Sequence, residues 1–360
     1  MSTNTSLAES VEPIRLTTLA HGGGCGCKIA PAVLQQIMAA VPVGVLPPQL
    51  LVGTESSDDA AVCQINATQA LVATTDFFTP IVDDAFDFGR IAATNALSDV
   101  YAMGAQPILA LAIVGMPLKQ LPPEQIARIL QGGASVCADA GIPLAGGHSI
   151  DIAEPVYGLV GLGLLDPQHL KKNSGAQAGD ALVLGKPLGV GILSAALKKG
   201  LLSEAGYADM LRVTTTLNRA GSALAQLPAV HAMTDVTGFG LAGHLLEICR
   251  ASQLAAEVNW ARLPLLDLAV QHAQAGIATG ASTRNWASYG AEVQLPADWQ
   301  DWQQKLLADP QTSGGLLVAC APQAVPQVLD IFRQHGCAEA AVIGQMQAGA
   351  PQLRVQADVG

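Results

Sequence analysis

Residues 21–28 read HGGGCGCK and carry two thiols and an amine on a run of glycines. Cys25 and Cys27 are separated by one glycine, and Lys28 lies three residues after Cys25. A nearby ammonium favours the thiolate, the nucleophilic form of cysteine. The same ammonium could instead meet a phosphate. The glycines suit a mobile loop that closes over a site as a lid. The bland alternative for Lys28 is a solvated side chain at the start of a helix. Zinc is a weak reading, because C-x-C is not the C-x-x-C of zinc knuckles and would need His21, His148 or His244 as partners. The remaining thiols, Cys63, Cys137, Cys249, Cys320 and Cys337, lie in apolar stretches and read as core.

Four acidic sites have similar surroundings, in SSDDAAV (Asp58, Asp59), TTDFF (Asp76), NALSDVYAMG (Asp99) and MTDVTGFG (Asp235). Asn95 sits one helical turn before Asp99, on the same face. Any single aspartate reads best as a cap or turn residue, and Asp83, Asp84 and Asp87 are read that way. Together the four sites are different. Each lies against apolar sequence, where an unpaired carboxylate is costly. Eighteen Lys and Arg stand against 29 Asp and Glu, too few to neutralise them all. A hard divalent cation such as Mg²⁺ would do so, and it commonly bridges carboxylates to a substrate phosphate. The expectation is a metal–nucleotide site. No G-x-x-x-x-G-K-[ST] run is present, and GVGILS at 189–194 is an incomplete dinucleotide pattern. Backbone amides at GGHS (146–149) and DVTGFGLAGH (235–244) could meet phosphates instead, although both also read as tight turns.

These residues need elements to position them. A chain of 360 residues suggests two domains or one large one. Half the residues are hydrophobic but only 4% are aromatic, so Ala, Val, Leu and Ile must fill the core. Helices are expected at 31–40, 86–103 and 122–140, among strands at 59–65, 70–76, 107–116, 144–148 and 156–165. The polar run 168–180 reads as a linker. Beyond it a second unit is expected, with strands at 181–184, 230–235, 314–319 and 340–343. Its helices are expected at 189–199, 207–225, 239–251 and 326–335. A net charge of −11 argues against nucleic acid as a partner. No apolar run is long enough for a membrane span. The leader MSTNTSLAESVEP lacks the basic and apolar regions of a signal peptide. Seven scattered cysteines fit reduced thiols, so a cytoplasmic location is expected.

Seven runs, in order, carry a resemblance: HGGGCGCK, LLVGTESSDDAAV, the block from Thr74 to Pro107, LAGGHSID, KKNSGAQAGD, AMTDVTGFGLAGH and DPQTSGGLL. With them the chain resembles the selenophosphate synthetase (selenide, water dikinase) family over nearly its whole length, in the form that has cysteine where some members carry selenocysteine. The resemblance implies an α+β, two-domain fold like aminoimidazole ribonucleotide synthetase (PurM-like), with the N-terminal domain dimerising through its sheet. It implies a leader and catalytic loop at 1–50, an ATP- and metal-binding domain at 51–170, and a C-terminal α+β domain at 181–360.

The implied reaction converts ATP, selenide and water to selenophosphate, AMP and phosphate, supplying selenium for selenocysteine and selenouridine. Cys25 and Lys28 match the catalytic positions. Asp59, Asp99 and Asp235 match the Mg²⁺ ligands, with more than one ion per site. A monovalent cation such as K⁺ is a further candidate. Ser56, Ser57, Asp58, Asp76, Gly147, His148 and Ser149 match positions that contact ATP, as do Lys28 and Asp99, and some of these reach the partner subunit's nucleotide. Cys25 is read as receiving or delivering selenium, with a selenium-delivery protein as a partner, and Cys27 as dispensable. The competing enzyme reading is another ATP user of the superfamily: a purine-pathway cyclase, a thiamine-phosphate kinase or a hydrogenase maturation factor. Their chemistry does not require a thiol in this loop. A thiol- or metal-binding module without turnover would leave the four acidic sites unexplained.

Overall fold

The computed structural model describes residues 14–41, 46–53 and 58–357. Ser56 and Ser57 lie outside them. The first unit begins with helix α1 (Pro31–Ala39), then β1 (Leu50–Val52), β2 (Ala61–Asn66), β3 (Gln69–Phe78), α2 (Ala85–Ala102), β4 (Gln106–Met116), α3 (Pro123–Asp139), β5 (Leu144–Asp151) and β6 (Val156–Leu165). Its strands form one sheet in the order β1-β2-β3-β6-β4-β5. Alternation sets the sheet's two faces. Along β3, Ala70, Val72, Thr74, Asp76 and Phe78 are buried towards the helices, while Thr75 and Phe77 are exposed on the other face.

Asp84 caps α2 by accepting from the Asp87 amide at 2.8 Å, while Asp83 accepts from Arg15 and Thr17 and Asp87 from Arg90 and Tyr207. Helices α2 and α3 pack closely because glycines stand at the crossing. A Cβ on Gly132 would lie 2.0 Å from the Phe86 carbonyl oxygen, and one on Gly89 would lie 1.9 Å from that of Ile129.

The second unit runs β7 (Ala181–Leu184), α4 (Val190–Lys198), α5 (Glu204–Thr215), α6 (Ala220–Leu224), β8 (Val230–Asp235), α7 (Gly240–Ser252) and β9 (Ala255–Asn259). It continues with α8 (Asp267–Gln274), α9 (Gly280–Tyr289), β10 (Val293–Gln294), α10 (Asp301–Leu307), β11 (Leu316–Cys320), α11 (Val325–Gln334), β12 (Ala341–Gln347) and β13 (Gln352–Gln356). Its seven-stranded sheet has the order β10-β13-β9-β12-β7-β11-β8. One apolar cluster runs through both units, from Phe88 and Leu97 of α2 to Leu184, Leu193 and Leu245.

Several expectations change. The helix expected over 207–225 is two helices, α5 and α6. At the end of α5 the hydroxyls of Thr214, Thr215 and Thr216 bond back to the carbonyls of Met210, Leu211 and Arg212. Such back-bonding weakens a helix. In the gap, Asn218 donates from Nδ2 to Ser98 Oγ and to the Gly314 carbonyl, which ties the break to both units. The 168–180 segment contains only short 3₁₀ turns, and it is pinned down. The Asn173 amide donates to Asp58, and Lys171 donates to the Leu227 and Val230 carbonyls. Cys63 is exposed on β2 and is not a core residue. The strand expected from residue 59 starts at Ala61, so Asp58 and Asp59 lie in the turn before it.

Replacing Gly132 by Ala is expected to cost about 1–3 kcal/mol by overpacking the α2–α3 crossing. Urea unfolding checks it, and an unchanged midpoint would contradict the close approach.

Candidate active site

Three elements deliver three carboxylates to one place. Asp59 comes from the turn before β2, Asp99 from α2, and Asp235 from the end of β8. One carboxylate oxygen from each lies within 4.8 Å of the other two. Threonines orient them. Thr234 donates to Asp59 Oδ1 at 2.7 Å, and Thr74 makes a short bond to Asp99 Oδ2. Oδ2 of Asp59 and Oδ2 of Asp235 are buried without a hydrogen-bond partner.

The electrostatics follow from crowding. Burial, then the fields of Asp235 and Asp99, pushes the Asp59 pKa well up. Burial, then Asp235 and Asp76, does the same for Asp99. Burial also raises Asp235, against the Ser98 hydrogen bond and the charges of His244 and Lys28. Orphaned oxygens on crowded carboxylates, with an all-oxygen donor set, fit a hard divalent cation such as Mg²⁺.

Beside them lies the glycine loop. It folds into a 3₁₀ turn over Gly24–Cys27, and Cys25 is 1% exposed. Both units hold this turn. The Gly24 amide donates to the Thr79 carbonyl at 2.9 Å, and the Cys25 amide donates to Thr312 Oγ1 at 3.0 Å. Gly24 has φ +55°, and a Cβ there would meet Thr312 Oγ1 at 2.4 Å. So the glycines let the turn dock closely against both units.

Lys28 Nζ lies 3.3 Å from Asp76 Oδ2, with its side chain 36% exposed. Burial opposes its charge, but the Asp76 carboxylate outweighs this and holds the pKa well above the ordinary lysine value. Asn95, wholly buried, joins the parts. Its Nδ2 donates to Asp76 Oδ2 at 2.6 Å, while its Oδ1 accepts from the Ser313 amide at 2.7 Å and the Cys25 thiol at 3.2 Å. The field of Lys28 does not by itself set the state of the Cys25 thiol. Burial drives the thiol pKa well up, and Lys28 only partly offsets it while Asp76 and Cys27 add to it. Cys25 is therefore a protonated donor to Asn95 in this arrangement.

The structure thus brings together Cys25, Lys28, Asp76, Asp59, Asp99 and Asp235. Asp58 instead binds the 168–180 connector through the Asn173 amide, at 2.7 Å. Gly147, His148 and Ser149 lie on the exposed edge strand β5, paired with Ala112, Ile113 and Val114 of β4. Two strands separate β5 from β3, which carries Asp76. Sequence reasoning assigned no task to Asn95, Thr312 or Ser313. The first stood next to Asp99 on one helix face, and the others lay in the DPQTSGG run.

A six- and a seven-stranded sheet with an acidic centre between them define a two-domain class. The AIR synthase related protein N-terminal domain matches residues 57–165, and the C-terminal domain of that family matches residues 177–356. The chain is 63% identical to selenide, water dikinase of Dechloromonas aromatica, over 96% of this chain and 99% of that one. It is 59% identical to the Rhizobium meliloti protein of the same name, over 95% of this chain and 98% of that one. The chain belongs to the selenide, water dikinase family. Among solved structures, a thiamine-monophosphate kinase from Stenotrophomonas maltophilia superposes with TM-score 0.63 at 21% identity, covering 91% of this chain and 97% of that one. Hydrogenase maturation protein HypE in complex with ATP gives TM-score 0.63 at 21% identity, covering 87% and 88%. At that identity these two share the fold alone.

With iodoacetamide near neutral pH, Cys27 is expected to alkylate roughly tenfold or more faster than the buried, protonated Cys25. Peptide-resolved mass spectrometry reads the ratio, and faster labelling of Cys25 would contradict the assigned thiol state.

Proposed function

We propose that this chain converts ATP, selenide and water to selenophosphate, AMP and phosphate. One observation carries the reading: a single turn sets Cys25 and Lys28 against the carboxylate centre through Asp76 and Asn95. The relatives at about 60% identity bear the name of this activity, whereas the thiamine-monophosphate kinase and HypE match only at fold level.

Asp59, Asp99 and Asp235 would hold Mg²⁺, which supplies charge neutralisation for a polyphosphate. Lys28 stabilises charge on the transferring phosphoryl group, since it keeps its proton and projects from a docked turn. Asp76 aims the ammonium, and Asn95 fixes Asp76. Cys25 handles the selenium and does not contact phosphate. Its buried thiol is kept neutral, so it adds no negative charge beside the anionic substrates. We assign the divalent role to Mg²⁺ and test K⁺ as a monovalent candidate in the same assay. Because Ser56 and Ser57 lie outside the described residues, their nucleotide contacts rest on the sequence pattern.

We also propose a homodimer formed through the first sheet. Its outer face exposes Phe77 and Ile150, 48% and 53% accessible, in a chain with few aromatics. The strands β3 and β5 stand about 14 Å apart at ordinary strand spacing. That separation favours Gly147, His148 and Ser149 serving the partner's nucleotide. All seven cysteines are free thiols, which fits a reducing, cytoplasmic setting, and no helix among the described residues is long and apolar enough to cross a membrane.

Anaerobic phosphorus NMR with ATP, Mg²⁺ and selenide is expected to show selenophosphate and AMP. ADP as the sole nucleotide product, or turnover independent of selenide, would sink the reading. Asp235→Asn is expected to lower selenophosphate formation at least roughly hundredfold, as loss of a charge-stabilising group at a phosphoryl-transfer centre does.

A further inference from the structure

On the outer side of the glycine loop is a second feature, a cavity of about 600 Å³. Its lining has one sign of charge. Lys28, Lys198, Lys199 and Arg284 face it, four of the chain's 18 Lys and Arg, and His21 stands at its wall. Among the described residues no Asp or Glu lines it, although the chain has 29.

Lys28 is paired with Asp76, but Lys198 and Arg284 are anchored on carbonyls without being neutralised. Lys198 donates to the Ala20 and His21 carbonyls, and Arg284 to the Gly26 carbonyl. Among the described residues neither makes an ion pair, and the Lys199 side chain makes neither an ion pair nor a hydrogen bond. Glu154 feels the charge of Lys198, but it is bonded to the His21 ring at 2.9 Å. Cys27 also lines the cavity, and so does Thr312, the acceptor for the Cys25 amide. Lys28 is shared between this cavity and the carboxylate centre.

We propose that this cavity binds a small anion, and that the anion is hydroselenide on its way to the Cys25–Lys28 turn. The identity of the anion rests on the function proposed above. The chain carries a net charge of −11, so its general field repels anions. A recess rimmed by cations focuses the field the other way, and such recesses raise local ion concentration by tenfold or more. Hydroselenide is an anion at neutral pH, small enough for this space and too soft a ligand for an oxygen-lined metal centre. The cavity thus gives the two substrates separate approaches. The nucleotide meets the carboxylates, and the chalcogen arrives behind the turn, past Cys27.

The test compares charged and neutral probes at Cys27, without selenium. The iodoacetate-to-iodoacetamide rate ratio at Cys27 is expected to exceed that of N-acetylcysteine amide at least roughly threefold. It should fall stepwise in Lys199→Gln and Lys199→Glu. A separate kinetic arm reads the substrates. Lys199→Glu should raise KM for hydroselenide about five- to tenfold and leave KM for ATP within about twofold. A Cys27 ratio equal to that of the free thiol, or a ratio unmoved by both substitutions, overturns the proposal. So does a rise in the two KM values in step. A wild-type protein that makes no selenophosphate yet keeps the preference at Cys27 overturns the function and the hydroselenide assignment, and leaves a site for another small anion.

Discussion

The mutual repulsion of Asp59, Asp99 and Asp235 is the constraint around which the chain is arranged. Three carboxylates with oxygens within 4.8 Å cannot all be ionised cheaply without a cation. They persist because separate elements over-determine them. Helix α2 is clamped by its glycine crossing with α3, β8 is an edge strand backed by β11, and the turn before β2 is held by Thr234 from the other unit. Asp59 and Asp99 come from the first unit and Asp235 from the second. The acidic centre therefore loads the junction between the two sheets, and hydrogen bonds such as Asn218 to Ser98 and Ser222 to the Ala105 carbonyl resist that load.

The glycine loop answers this negative centre with one positive charge in a fixed place. A lysine on a free loop would spend its time in solvent. Here the turn is bonded to Thr79 and Thr312, so Lys28 starts from a defined position and Asp76 sets its direction. Asn95 then couples the lysine's partner to the Cys25 thiol and to the Ser313 amide. Ser313 holds a left-handed backbone at φ +52°, and the buried Lys186 ammonium donates to its carbonyl. Lys28 stands at this centre, and Lys198, Lys199 and Arg284 stand behind the loop.

Much of this was legible where periodicity is local. The alternation of β3 and the apolar face of α2 gave elements within a residue or two of those observed. The aspartates were legible as types, because unpaired carboxylates in apolar sequence demand compensation. Which of them meet at one point was not, since Asp59 and Asp235 are distant in sequence and only the family resemblance singled out Asp59, Asp99 and Asp235. The docking of the Cys25 turn was hidden for a related reason. Glycine-rich sequence reads as mobile, and nothing local reveals that Thr312, 287 residues away, closes the turn and buries the thiol. The break between α5 and α6 depends on Asn218 reaching Ser98 and Gly314, a tertiary tie that helix propensity does not register.

The central claim is that the carboxylate cluster is a cation site straddling the two units. Calorimetric unfolding of metal-free protein with and without added Mg²⁺ tests it most directly, with Asp235→Asn as the comparison. Mg²⁺ is expected to raise the wild-type Tm in a concentration-dependent way, as any ligand of the native state must. The metal-free variant is expected to be at least as stable as metal-free wild type, because one repelling charge is gone, and to gain little from Mg²⁺. A wild-type Tm indifferent to Mg²⁺, or a variant destabilised without metal and fully rescued by it, would contradict the account.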